Sequence, residues 1–205
     1  MRDPDSPGLH AAILAAGPST RFGSPKQLIR LAGTPVLHRA VSNAARAAGR
    51  SVTVVLGAGA TDVAPVLRRS GASLVLNRGW DEGLASSVRA AVNAAPPGCE
   101  GLMLLLADQL AVTSDDLQRL AVAWRRHPVL IAAALYGGRP GLPAIFPGWA
   151  FSDLLGLRGE ADPRVVIRRH SERVVRVPMP GAAIDVNTPE DLLEVPAGEQ
   201  GRAEL

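Results

Sequence analysis

Short runs of consecutive apolar residues alternate along the chain with stretches in which apolar positions recur every three or four residues. Residues 10–16, 51–56, 72–76, 102–107 and 129–135 have the length and composition of strands. Between them, Val36, Leu37, Ala40, Val41, Ala44 and Ala45 keep helical spacing. Thr34 is the expected N-cap of that helix, with Pro35 at its first position and Gly49 as its stop. Residues 61–69 and 84–95 read as further helices, the second ended by Pro96-Pro97-Gly98. Thr113 opens another, with Asp116 spaced to close a capping box. Residues 77–83 read as a loop. The 102–107 run is apolar at every position, which predicts a central strand covered on both faces. Strand–helix alternation to about residue 135 predicts an α/β protein with a mostly parallel sheet and helices on both faces. Beyond that point the pattern loosens. Residues 137–143 read as an extended loop, 151–157 and 163–170 as short helices, 173–177 and 182–186 as strands, and Thr188 onward as a helix start.

The 205 residues are expected to form one domain over 9–193, with tails at 1–8 and 194–205. With 47% hydrophobic and 20% charged residues, the chain is not a disordered one. No apolar run approaches the roughly 20 residues that a membrane span needs, and residues 1–8 lack a basic flank leading into an apolar signal core. Cys99 is the single cysteine, which excludes an internal disulfide and a cysteine-rich zinc site. A cytoplasmic location is the expectation. The net charge is +3, but the basic residues are scattered and only three Phe, three Trp and one Tyr are present. That argues against nucleic acid as a partner. Of 22 basic residues, Lys26 is the one lysine. A compact ammonium kept where arginine is otherwise the rule suits a cation fitted between phosphate oxygens, unless one surface lysine simply survived a composition bias.

Ligands of parallel sheets bind beyond the carboxyl ends of the strands. After the first strand come Leu14, Ala15, Ala16, Gly17, Pro18, Ser19, Thr20, Arg21, Phe22, Gly23, Ser24, Pro25 and Lys26. Glycine lets backbone N–H groups approach an anion, and Arg21 and Lys26 add positive charge, which together describe a triphosphate cradle. The spacing is not that of a Walker A loop. Gly57-Ala58-Gly59 starts like a dinucleotide fingerprint, but the third glycine is replaced by Asp62, and a plain turn is the better reading. The central strand delivers Asp108-Gln109, and a carboxylate there can meet Mg²⁺ or cap the following turn. Asp185 and Asn187 are placed two apart on an expected strand, hence on one side of it, as further oxygen ligands; Asp185 can instead begin the Thr188 cap. The four histidines, at positions 10, 38, 127 and 170, form no nucleophile–base set with Ser or Cys.

The segment from Leu14 to Leu28 resembles the signature loop of MobA-like nucleotidyltransferases, and is most similar to that of their molybdenum-cofactor cytidylyltransferase branch. In the same order follow matches at Asn77–Val88, Ala107-Asp108-Gln109, Gly138–Phe146 and Asp185–Leu192. The resemblance covers about residues 10–193 and implies a Rossmann-like, GT-A-like three-layer fold. It implies transfer of CMP from CTP to a phosphorylated small molecule of molybdopterin type, with Mg²⁺ as cofactor and a molybdoenzyme or its maturation factor as a further partner. Catalytic roles then fall on Lys26, Arg21 and Asp108. Nucleotide contacts fall on Leu14, Ala15, Ala16, Gly17, Asn77, Gly83, Ser86 and Ser87, the acceptor side on Gly141, Pro143 and Arg164, and the metal on Asp108 with Asp185 or Asn187. Ala16-Gly17 resembles the version in CTP users rather than the Gly-Gly of GTP users. The acceptor half departs from the family pattern at Leu110, Leu142, the 159–164 segment and Asn187. Another phosphorylated acceptor, or a non-catalytic nucleotide-binding maturation factor, is therefore the alternative.

Overall fold

The computed structural model describes residues 8–18, 26–31, 33–185, 191 and 203–204. Seven strands form one sheet: β1 (Leu9–Ala15), β4 (Val52–Leu56), β5 (Ser73–Leu76), β6 (Gly101–Leu106), β7 (Ile131–Tyr136), β8 (Arg139–Pro147) and β9 (Val174–Pro178), in the order β5-β4-β1-β6-β8-β7-β9. β5, β4, β1 and β6 are mutually parallel, β7 and β9 are parallel to each other, and β8 runs against both of its neighbours. A small antiparallel sheet joins β2 (Arg30–Leu31) to β3 (Thr34–Pro35) and β10 (Ala203–Glu204). Of the expected tails, residues 1–7 and most of 194–205 lie outside the described residues.

Both sheet faces are covered, as the all-apolar strands require. Leu9, Ala11, Ile13 and Ala15 of β1 and Met103 and Leu105 of β6 pack with α1 (Val36–Ala48) and α4 (Ser114–Arg126). The alternate residues Ala12, Leu14, Leu102 and Leu104 face α3 (Leu84–Asn93), α5 (Phe151–Leu155) and α6 (Arg164–Arg169). The expected capping box forms, with Thr113 and Asp116 bonding each other's backbone, and Gly49 ends α1 in the left-handed conformation. Residues 61–69 are a single turn, α2 (Ala60–Val63), continued as a 3₁₀ segment.

Three expectations are corrected. Thr34 does not cap α1: it pairs in β3, and the Val36 N–H donates to the Ile29 carbonyl at 2.8 Å instead. Residues 137–143 are not an extended loop. Gly137 and Gly138, both at positive φ, turn the chain back into β8, whose residues from Gly141 to Pro147 are buried. The prolines hid this strand from the pattern. Pro143 is tolerated because the pairing with β7 slips between Ala133 and Ala134, passing over Leu142 and Pro143. Residues 182–185 form no strand either, and Val186 lies outside the described residues. Pro180–Ala183 is a 3₁₀ turn whose Ala182 is buried, and Asp185 follows it in irregular backbone.

Candidate functional site

The β8 irregularity also shapes the site. The last β6–β8 pair is Leu104 with Ala144, so the two strands part before β6 ends. Gln109 bridges the gap, its side-chain amide donating to the carbonyls of Leu142 (2.9 Å) and Ala182 (3.0 Å). Asp108 sits at this opening, across from the end of β1. There the buried Gln27 donates to the carbonyls of Ala15 (3.1 Å) and Gly17 (3.3 Å), fastening the 3₁₀ turn Lys26–Leu28 against the strand end. Lys26 Nζ thereby reaches Asp108 Oδ2 at 2.6 Å, with each side chain about one-fifth exposed (19% and 20%). The other oxygen, Asp108 Oδ1, is buried and has no hydrogen-bond partner among the described residues. The Asp108 carboxylate is thus no cap of the following turn. An orphaned buried carboxylate oxygen is costly, and a cation is the group that relieves it.

These residues open into a cleft of about 420 Å³, whose lining includes Leu14, Ala15, Gly17, Lys26, Leu84, Asp108, Glu160, Asp162 and Arg164. Arg164 arrives from α6 and pairs with Asp162 at 2.7 Å, while Asp162 also accepts from the Arg164 backbone N–H at 2.7 Å. That partnership raises the guanidinium pKa further above its ordinary value. Both cations in the described lining, Lys26 and Arg164, are therefore already matched by carboxylates, and Glu160 adds a third acid. Asp185 lies near enough to Asp108, Arg164 and Lys26 to feel their charges. Crowding by protein pushes its carboxyl pKa up first, and the Asp108 carboxylate adds to that. Two carboxylates in mutual repulsion, one with a bare buried oxygen, suit a divalent ion that takes one or two protein carboxylates plus substrate phosphates. Among the described residues no group of three or more His, Cys, Asp or Glu could hold a metal by itself.

Arg21 and Asn187 lie outside the described residues. Ala16 is buried, and its methyl is directed at Gly57 rather than at the cleft. A Cβ on Gly57 would meet Trp80 Cβ at 2.6 Å and the Ala16 carbonyl oxygen at 2.7 Å, so this glycine serves packing. Asn77, Ser86 and Ser87 come together, but buried and bonded to one another: the Asn77 amide donates to Ser86 Oγ (2.8 Å) and Ser87 Oγ (3.1 Å). Ser86 Oγ in turn donates to the Gly83 carbonyl at 2.8 Å. This knot fixes the start of α3, which presents Leu84 to the cleft. Gly83, at φ +115°, is pressed against Gly159, whose carbonyl accepts from the Ala85 N–H at 3.1 Å. Gly141 makes room for Tyr136, whose hydroxyl would lie 2.4 Å from a Cβ there, and Pro143 is buried behind it. Glu160, Asp162 and Gln27 had no role in the sequence pattern. The Gly159–Arg164 segment carried the signal for the two acids, and the strut made by Gln27 has no signature short of the fold.

Comparison with known proteins agrees with this architecture. The MobA-like NTP transferase domain matches residues 11–174. Nicotine blue oxidoreductase of Paenarthrobacter nicotinovorans is 29% identical over 178 residues, 82% of this chain and 86% of that protein. The crystal structure of Rv0371c from Mycobacterium tuberculosis H37Rv has 27% identity and a TM-score of 0.80, covering 92% of this chain and 97% of that one. The same protein solved in complex with manganese gives 25% identity, a TM-score of 0.74 and the same coverage, 92% and 97%. At 17% identity, molybdopterin-guanine dinucleotide biosynthesis protein A from Archaeoglobus fulgidus shares the fold alone, with a TM-score of 0.68 over 91% of this chain and 96% of that one. With the signature loop at the end of β1, Asp108 at the end of β6 and a match across most of its length, the chain belongs to the MobA-like NTP transferase family.

Proposed function

We propose that this protein transfers CMP from CTP to the phosphate of a small acceptor of molybdopterin type, with Mg²⁺ and release of pyrophosphate. The observation that carries the reading is the Lys26–Asp108 pair at 2.6 Å, which joins the ends of β1 and β6 and leaves Asp108 Oδ1 bare. An acceptor phosphate oxygen attacks the α-phosphorus of the nucleotide, a P–O–P bridge forms, and the α–β anhydride bond breaks. Such a transfer depends on positioning and charge neutralisation more than on a general base. Lys26, as a point charge, would leave Asp108 for the phosphates, with the Gly17 backbone and Arg21 beside it. Asp108, with Asp185 or Asn187, would hold Mg²⁺, which supplies Lewis-acid neutralisation of phosphate charge. Arg164 would face the acceptor. Asn77, Gly83, Ser86 and Ser87 would support the base through the start of α3, and Gly141 and Pro143 would shape the acceptor wall. The preference for CTP rests on the resemblance of Ala16-Gly17 to the loop of CTP users.

Thermal stabilisation by CTP, GTP, ATP and UTP with Mg²⁺, followed by pyrophosphate release with molybdopterin, tests the reading. CTP stabilising most and pyrophosphate appearing only with acceptor is the expected result. Another nucleotide leading reassigns the base, CTP binding with no turnover on any phosphorylated acceptor favours a non-catalytic maturation factor, and no nucleotide response overturns the proposal. The similarity to nicotine blue oxidoreductase favours a second reading, a redox activity in the same cleft. Oxidation of NADH or NADPH with an organic acceptor, without any nucleotide triphosphate, would select it.

A further inference from the structure

A second hollow, of about 570 Å³, adjoins the cleft and is lined by Tyr136, Arg139, Pro140, Asp162, Arg164 and Arg168 among others. Asp162 and Arg164 line both spaces, so one ligand can run from the first into the second. The two spaces differ in charge. In the cleft, carboxylates outnumber cations among the described lining. In the hollow, three arginines face one carboxylate, and that carboxylate is taken by Arg164.

Arg139 opens β8 just after the Gly137-Gly138 turn, and Arg168 stands one helical turn beyond Arg164 on α6. Both are exposed, and neither forms an ion pair or a side-chain hydrogen bond with a described residue. The neighbouring Arg169, by contrast, is paired with Asp153 at 3.0 Å. Two guanidinium groups with their forks unused, converging from separate elements on one concave surface, are matched by phosphate or carboxylate.

Resting on the transferase reading above, we infer that this hollow takes a second anionic group of the acceptor. The acceptor then carries two separated anions: the phosphate that attacks in the cleft, and another phosphate or carboxylate held by Arg139 and Arg168. This assigns Arg139 and Arg168 to acceptor selection rather than to the reacting atoms. Arg164, at the junction, would lie between the two anions.

The test uses fructose 1,6-bisphosphate and fructose 6-phosphate as probes, titrated by calorimetry into the whole chain at low salt. Wild type is expected to bind the bisphosphate at least about tenfold more tightly than the monophosphate, a difference of about 1.4 kcal/mol. The Arg139→Gln/Arg168→Gln variant is expected to abolish that gap while thermal stabilisation by CTP is retained. A control with the same charge change elsewhere, Arg68→Gln/Arg126→Gln, is expected to keep it. Equal binding of the two probes by wild type, a gap that survives the Arg139/Arg168 substitutions, or a gap lost equally in the control overturns the inference. Failure of the transferase reading shows separately, as absent nucleotide stabilisation with the probe gap intact.

Discussion

The wall of the cleft built from β1 and β6 comes from the ends of two adjacent parallel strands, whereas a second wall comes from the 159–164 segment at the start of α6, beyond which the β8 hairpin lines the adjoining hollow. The first wall rests on the ordered backbone of two strand ends. A buried strand ends, a glycine loop follows, and Gln27 bonds two carbonyls of the same turn to hold Lys26 toward Asp108. The second wall is held to a segment far away in sequence by the contact of Gly83 with Gly159, and locally by the Arg164–Asp162 pair. Their charges differ accordingly. The first wall offers, in Asp108, a carboxylate with a bare oxygen that calls for a divalent ion, and the hollow beside the second exposes arginines that call for an anion. Binding and chemistry at one wall can therefore be altered with little effect on the other, and that separation is testable.

The largest expected effect is at the first wall. Asp108→Ala should lower metal-dependent pyrophosphate release by about a thousandfold or more, because it removes the carboxylate that carries the bare oxygen. Acceptor-side probe binding should be unchanged by calorimetry. Lys26→Arg should cost about a hundredfold in turnover with thermal stability near wild type, since the wider planar fork cannot replace a point charge fitted between phosphate oxygens. Near-normal activity of this variant would remove the point-charge argument.

Gly83→Ala should break the contact that holds the second wall. A Cβ there would lie 2.7 Å from the Gly159 carbonyl, at a φ of +115° that side chains rarely adopt. A loss of about 2 kcal/mol in urea unfolding is expected, with both nucleotide and probe binding weakened together. Asp185→Asn should do the opposite to the metal-free protein. Its carboxyl is pushed up by crowding and by Asp108, so removing the charge should raise Tm slightly, while the further rise on adding Mn²⁺ or Mg²⁺ shrinks.

The smallest effect lies in the sheet that both walls share. His10 is buried between Ser51 and Thr53, with ring nitrogens 2.8 and 3.0 Å from their hydroxyls, and burial lowers its pKa below the ordinary 6.5. The unfolded chain then binds a proton that the folded chain refuses. Stability is full above pH 6.5 and is lost as pH falls toward the depressed folded value. Urea unfolding at about pH 7.5 and about pH 5.5 should show that loss, and His10→Gln should flatten it without favouring either wall.

Much of the first wall was legible along the chain. The β1 run, the loop after it, the lone lysine and the Asp108 terminus of an all-apolar strand are local signals, since a strand buried on both faces must be apolar throughout and must end where polarity begins. The second wall was legible only as a loosened pattern. Pro140 and Pro143 in β8 spoke against a strand, and the slipped pairing opposite Ala133 and Ala134 admits Pro143. The 182–186 run is apolar enough for a strand, but burial of Ala182 and its carbonyl bond to Gln109 fix a 3₁₀ turn instead.

By itself, the sequence determined the α/β alternation, the place of the signature loop and the two residues, Lys26 and Asp108, that meet across it. Those follow from hydrophobic period and from polarity at strand ends, which are properties of neighbouring residues. Only the tertiary structure decided that these two are paired at 2.6 Å, that one carboxylate oxygen is left bare, that Ala16 faces the packing, and that Arg139, Arg164 and Arg168 share one hollow. The first three depend on how the end of β1 packs against its neighbours, and the hollow on where β8 and α6 come to rest, all set by long-range packing that no local pattern encodes.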